Sequence, residues 1–156
     1  MRDELSDRLV PSLTGRTWSH EEFFWSLVFA GSFGLIGFSP EQQNQMRNAI
    51  NEAANKLRQS CCAGPDSPKI ANAIETATYV YQPKSKNCGQ VGPLSFLGIR
   101  HRIGISQKAL NGGCCSVPSN SLPSTISHEG SHLIRYSEDK AYGMEEKCFG
   151  CKDPRR

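Results

Sequence analysis

The chain has 156 residues, which is enough for one domain and too few for two ordinary ones. Its net charge is only +3, from 18 basic and 15 acidic side chains, and no clustered basic face suggests a nucleic-acid partner. Seven cysteines are many for a cytosolic protein of this size, so they favour an oxidising compartment or a metal site. Because seven is an odd number, at least one cysteine is expected to stay outside any intramolecular pairing.

The N-terminal part predicts a lead-in followed by an apolar segment. Residues 1–18 are polar and mixed in charge, so we expect a loosely held lead-in before a single domain over 19–156. Residues 23–38 carry no charge, but they are too few for the roughly 20 residues that cross a bilayer. We therefore expect a buried helix over 20–31 and no stable membrane span, with a membrane-active segment as the alternative. Residues 1–22 lack the positive leader of a signal peptide.

The rest of the chain predicts helices, then short strands, then a helix. These elements are, in chain order, a helix over 40–60 capped by Ser39, a shorter helix opening at Ser67, strands over 78–81 and 99–105 with a loop over 83–95 between them, and a helix beginning near Leu122. Such an order is typical of an α+β domain, here mostly helical with a small sheet.

The motif that carries chemistry is His128-Glu129-Gly130-Ser131-His132, which has the form H-E-x-x-H. Residues four apart share one face of a helix, so both imidazoles can bind one metal ion. Glu129 lies about 100° further around the helix, beside the ion, where it can accept a proton from an activated water. Apolar residues occupy the opposite face, as burial of this helix requires. Idle surface histidines or a purely structural zinc site are the alternatives.

A catalytic zinc ion needs a third protein ligand, and the acidic candidates are Glu138, Asp139, Glu145 and Glu146. The run from Tyr136 to Gly143 resembles the G-T-x-D-x-x-Y-G signature that follows H-E-x-x-H in the aspzincins, the deuterolysin-like zinc metallopeptidases. This resemblance implies a zincin-like fold, with Asp139 as the third zinc ligand and Tyr142 as a donor to the oxyanion. Glu138 is the next choice for the ligand, and Glu145 or Glu146 would place it on a following helix.

The resemblance covers residues 124–143 and implies a zinc-dependent endopeptidase with one Zn²⁺ ion, Glu129 as general base and a protein or peptide substrate. The strand over 99–105 could pair with that substrate. Similar small bacterial domains are the metallopeptidase toxins of polymorphic toxin systems. This similarity implies an effector domain of a larger secreted protein, delivered into a target cell and bound by a cognate immunity protein. The alternatives are a zinc-stabilised binding module without turnover, and a zinc amidase or deamidase acting on a non-protein amide.

The cysteines leave three possibilities open. Cys148 and Cys151 form a C-x-x-C, which could contribute to two disulfides, bind a second zinc ion with Cys114 and Cys115, or act in redox exchange. Neighbouring cysteines rarely bridge to each other, because their geometry is poor. We favour disulfides, and a bridge from Cys114 or Cys148 would brace the metal site against the rest of the fold.

Overall fold

Helices and short strands alternate along residues 34–92 and 101–156, which are the residues that this computed structural model describes. The elements are β1 (Gly34–Ile36), α1 (Pro40–Ser60), α2 (Ser67–Thr76), β2 (Thr78–Gln82), β3 (Gly89–Val91), β4 (Arg102–Ser106), α3 (Gln107–Leu110), α4 (Ser121–Leu133) and α5 (Glu138–Phe149). The described residues thus form five α-helices and one small sheet, which confirms the predicted α+β class. The predicted lead-in over 1–18 and helix over 20–31 lie outside them.

The sheet has the strand order β1-β2-β4-β3. β1 and β4 both run parallel to β2, and β3 runs antiparallel to β4. The strand predicted over 99–105 is therefore present as β4, but both of its sides are paired. It cannot add a substrate strand, as the sequence suggested it could. The strand at this edge of the sheet is β3, and no other described strand covers its outer side. β3 forms inside the segment that the sequence predicted as a loop over 83–95.

The helix predicted over 40–60 is confirmed as α1, and its ends have identifiable causes. The Ser39 hydroxyl accepts a hydrogen bond from the backbone N–H of Gln42, and the Gln42 side chain accepts one from the backbone N–H of Ser39. The helix ends at Cys61, which adopts a left-handed conformation with φ 46°. A stripe at helical spacing is fully buried against the core and consists of Met46, Ile50, Ala53 and Leu57.

Helix α4 runs through the middle of the fold and packs against α1, α2, α5 and β3. It is buried along almost its whole length, so both of its faces contact other elements. Gly130 lies close to α2, because an added Cβ there would overlap the Cγ2 methyl of Ile74. Glycine at this position therefore sets the distance between α4 and α2. A helix fixed on all sides in this way holds the side chains of the H-E-x-x-H motif in place.

Three disulfides link distant parts of the described chain. They are Cys62–Cys148, Cys88–Cys114 and Cys115–Cys151, and Cys61 is left as an exposed free thiol. The preference for disulfides over a second zinc site is thus confirmed, and no bridge joins neighbouring cysteines. Three bridges are compatible with an oxidising compartment.

The apolar segment over 23–38 is described only from Gly34 onward. That part forms β1 and the buried side chain of Phe38, which is 1% exposed in the core. This end of the apolar segment is therefore a strand followed by a bend, and the helix predicted over 20–31 is not tested by it. Among the described helices, none combines the length and the apolar character needed to cross a membrane.

Candidate metal centre

The site lies between α4 and α5, which pack side by side. Helix α4 presents polar side chains at every fourth position, namely Ser124, His128 and His132. Helix α5 presents Glu138, Tyr142 and Glu145 at spacings of four and three. Residues at these spacings lie on one face of a helix, so two polar rows face each other across the helix pair.

Three side chains converge at the centre of this interface. Nε2 of His128 lies 3.4 Å from Oε2 of Glu138, and Nε2 of His132 lies 2.8 Å from Oε1 of Glu138. One potential ligand atom from each of the three residues lies within 4.8 Å of the other two. Two atoms bound tetrahedrally to one zinc ion at about 2.1 Å would be about 3.4 Å apart. The spacing therefore fits a single small cation.

The other nitrogen of each imidazole has a hydrogen-bond partner of its own. Nδ1 of His132 donates to the backbone carbonyl of Tyr136 at 2.8 Å, because a carbonyl oxygen can only accept. Nδ1 of His128 contacts Oε2 of Glu145 at 3.1 Å, and the Ser124 hydroxyl donates to Oε1 of the same carboxylate at 2.5 Å. With the hydrogen on Nδ1, each Nε2 is free to bind a metal ion through its lone pair.

The donor set passes a further test of fit for a metal ion. Nε2 of His132 is buried and takes part in no hydrogen bond, although a Glu138 oxygen is close to it. An unpaired buried nitrogen is costly, and coordination of a cation would satisfy it. Two imidazoles and one carboxylate are also the donor types that zinc uses in catalytic sites. The residues present therefore fit a zinc ion.

The charges around the site favour a cation. Burial by itself would lower the pKa of His128, but the carboxylates of Glu145, Glu129 and Glu138 outweigh burial and raise it. Burial is also the main reason why the pKa of Glu129 is raised, and the neighbouring carboxylates add to this effect. His128 and Glu129 are only 6% and 7% exposed, so solvent screens this negative charge weakly.

Glu129 lies between the two histidines and the edge strand β3. A Cβ built on Gly89 would lie 2.8 Å from Cγ and 3.2 Å from Oε1 of Glu129, so only glycine allows the strand to pass this close. Both residues line a cleft of about 550 Å³, which the two histidines and Glu138 also line. The carboxylate therefore faces a space that can hold a ligand.

Tyr142 stands on the α5 side of this cleft. Its ring packs edge-on against the His128 ring with 4.6 Å between centroids, and the Arg155 guanidinium lies 4.3 Å from its centroid. Burial and then the charges of Glu138 and Glu145 raise the pKa of Tyr142, whereas Arg155 opposes them more weakly. The phenol therefore stays protonated at neutral pH and can donate a hydrogen bond.

Asp139, the predicted third ligand, lies outside this group. Its side chain is 90% exposed and pairs with Arg155 at 3.0 Å. The physical reason is that Ser137 caps α5, accepting a hydrogen bond from the Lys140 N–H, which puts residues 138 and 139 into the first helical turn. Consecutive residues there are rotated by about 100°, so Glu138 faces α4 when Asp139 faces away. The group that could hold a metal ion thus contains the second-choice residue, Glu138, and not Asp139.

Sequence reasoning missed Ser124 and Arg155, and it named Glu145 only as an alternative metal ligand, not as the partner of His128. Ser124 and Glu145 orient His128, and Arg155 stacks on Tyr142. The signal for Glu145 was the spacing of Glu138, Tyr142 and Glu145 along α5, which marks one helical face. No comparable signal pointed to Arg155, because it reaches the site from the C-terminal tail.

The predicted Glu129, Tyr142, His128 and His132 therefore line one cleft, joined by Glu138 in place of Asp139. The chain was compared with models of protein families, with curated proteins and with solved structures, and nothing matched in any of the three. The similarity of residues 124–143 to the aspzincins accordingly stays a prediction.

Proposed function

We propose that the protein is a zinc-dependent endopeptidase that uses His128, His132 and Glu138 to hold one zinc ion. The observation that carries this proposal is the convergence of these three side chains beside Glu129 in one cleft. When bound there, zinc lowers the pKa of a water molecule toward neutrality and polarises the carbonyl of the scissile amide.

Glu129 is the general base in this proposal. Its carboxylate is buried next to both histidines without being one of the clustered ligands, so it is free to accept a proton. It accepts the proton of the attacking water and passes it to the leaving amine. A binding module without turnover would have no use for a carboxylate at this position.

The free edge of β3 supports a peptide substrate. The Cys88 carbonyl accepts from the N–H of Ser106, and the Gly92 N–H also donates to β4. Backbone groups alternate in direction along an antiparallel strand, so the N–H and C=O of Gly89 and Val91 point away from β4. They are available to pair with an extended peptide, which the edge would lay past Glu129. This feature favours a peptide over a non-protein amide.

Tyr142 is the proposed donor to the oxyanion that forms on the substrate carbonyl. Tyr142 belongs to the cleft lining, and its ring contacts both His128 and Arg155. A donor fixed in advance loses little entropy in the reaction, which is how such groups lower the barrier.

The disulfides support an oxidising location for this activity. Delivery into a target cell, the origin in a larger secreted toxin and an immunity partner rest on the sequence resemblance and stay predictions.

The test combines metal analysis with cleavage assays on the Glu129→Gln variant. The parent should bind one zinc ion and cleave an unfolded protein in a chelator-sensitive way. The Gln variant should keep the zinc and lose about 10²–10⁴-fold in rate, the usual contribution of a general base. The matched control is Glu52→Gln, which removes an exposed carboxylate outside the metal cleft. Equal cleavage rates for parent and Gln variant would refute the mechanism, and hydrolysis restricted to cell-wall fragments would favour the amidase.

A further inference from the structure

Three lysines from distant parts of the chain line the same cleft as the metal group. They are Lys86, which precedes β3, Lys108, which lies in α3, and Lys152, which follows α5. All three side chains belong to exposed residues. The cleft is therefore lined both by the acidic side chains around the metal group and by basic side chains.

Two disulfides connect the chain segments that carry Lys86 and Lys152. Cys88–Cys114 and Cys115–Cys151 start from the adjacent residues Cys114 and Cys115, so they join two chain segments at one point. Lys86 lies two residues before Cys88, and Lys152 directly follows Cys151.

Lys108 is tied to the same point by the backbone. Its carbonyl accepts a hydrogen bond of 2.9 Å from the N–H of Gly113, the residue before Cys114. A Cβ on Gly113 would lie 2.9 Å from Cγ of Lys108, so the side chain runs directly over this turn. The backbone at or near each of the three lysines is thus held by a disulfide or by a backbone hydrogen bond. We call Lys86, Lys108 and Lys152 the basic wall of the cleft.

No carboxylate in the described part of the chain lies within ion-pairing distance of these three ammonium groups. Two of the three carboxylates that line the cleft have other partners, because Glu138 contacts both histidines, and Glu145 contacts His128 and accepts from Ser124. The positive charge of the basic wall is therefore available to a ligand.

We propose that Lys86, Lys108 and Lys152 select substrates that carry acidic side chains next to the scissile bond. This inference rests on the proposed peptidase function and names its substrate class. A peptide laid along β3 passes the basic wall and the metal centre together, and a carboxylate on it gains Coulomb attraction from both. A lysine or arginine at the same place is repelled.

The test uses the zinc-loaded full chain and sets of peptides that differ at one position near the cleaved bond, with Glu, Gln or Lys there. All peptides are acetylated and amidated, so their termini carry no charge. We expect kcat/KM to fall in the order Glu, Gln, Lys. Each single Lys→Gln variant of the basic wall should lower kcat/KM for the Glu peptide by about two- to fivefold and leave the Gln peptide nearly unchanged. The triple variant should remove the preference.

The matched control is Lys56→Gln, which removes an equal charge from an exposed lysine on α1, away from the cleft. It should keep the full preference for Glu. The preference should also shrink as salt is raised, because exposed ion pairs are screened. Equal losses in Lys56→Gln and in the basic wall variants would overturn the assignment, since they would show an effect of net charge alone.

A binding assay separates this inference from the proposed function. Fluorescence anisotropy with zinc-loaded Glu129→Gln measures the affinity for labelled peptides without turnover. Tighter binding of the Glu peptide that is lost in the triple lysine variant supports the basic wall even if no peptide is cleaved. Cleavage with equal affinities for Glu and Gln peptides would overturn the basic wall and leave the peptidase standing. A second set of peptides with free C-termini completes the test, and a preference that is absent with the amidated peptides and appears only in this set would overturn the assignment to acidic side chains.

Discussion

The identity of the third ligand gives the sharpest prediction. Replacing Glu138 with Gln should greatly weaken zinc binding, whereas replacing the adjacent Asp139 with Asn should hardly change it. Each substitution removes one negative charge from neighbouring positions in the first turn of α5, so they are matched in long-range electrostatics. They differ in contact, because Glu138 oxygens lie 3.4 and 2.8 Å from the two imidazole nitrogens and Asp139 is 90% exposed.

The expected magnitudes follow from these contacts. Loss of a residue that only supports a ligand usually costs 10–100-fold in metal affinity, so loss of a ligand itself should cost at least about 100-fold, or about 2.7 kcal/mol. The Asp139–Arg155 pair is exposed and should contribute only about 0–1 kcal/mol to stability. We therefore expect the zinc affinity of Asp139→Asn to stay within about twofold of the parent.

Competition with a fluorescent chelator at neutral pH measures both affinities. Cys61 is an exposed free thiol that can bind zinc by itself, so all proteins should carry Cys61→Ser. Circular dichroism of the metal-free proteins checks that both variants fold. A large loss in Asp139→Asn with normal binding by Glu138→Gln would refute the reasoning and return the ligand position to Asp139.

Three further outcomes are expected. Tyr142→Phe should lower kcat by about 10²–10³ with zinc still bound, as loss of one oxyanion donor does, and an unchanged rate would assign the donor elsewhere. Gly130→Ala should lower the free energy of unfolding, measured in urea, by about 1–2 kcal/mol. The overlap of the new methyl group with the buried Ile74 outweighs the gain of about 1 kcal/mol in helix propensity. A more stable variant would contradict the close packing of α4 against α2. Hydrogen bonds from Arg155 lower the pKa of Asp153 from 3.8 to about 2, so this carboxylate stabilises the fold above pH 3.8 and loses the effect as pH falls toward 2. The Tm difference between the parent and Asp153→Asn should therefore close over that interval, and a gap that persists at pH 2 would argue against the ion pair.

The helices and central strands were predictable because local signals agreed with the final packing. Ser39 and Pro40 marked the start of α1, and the alternation of apolar residues marked β4. The H-E-x-x-H spacing likewise located the helix of the candidate metal centre, since the period of a helix fixes which residues share a face. Where a single local rule determines the position of a helix or strand, the sequence is sufficient to predict it.

Other features depend on partners that are distant in the chain. β3 has only three residues, of which Val91 alone favours a strand, and it exists because β4 pairs with it. The choice between Glu138 and Asp139 depends on where α5 begins, and helix boundaries are the least certain element of a sequence prediction. The pairing of six cysteines is also set by the tertiary fold, because spacing alone leaves fifteen connectivities for six cysteines.

The Cys62–Cys148 disulfide determines what happens to the protein after proteolytic cleavage. It joins cysteines that are 86 positions apart, and the ring that it closes contains α4, all but the last residue of α5 and three of the four described strands. A single backbone cut inside that ring, for instance at the turn after Gln82, leaves both fragments covalently attached. A nicked molecule would therefore run as one species until reductant is added, and its histidines and Glu138 would remain on the same connected body. For the proposed endopeptidase, such a ring would be protection against cleavage by its own copies.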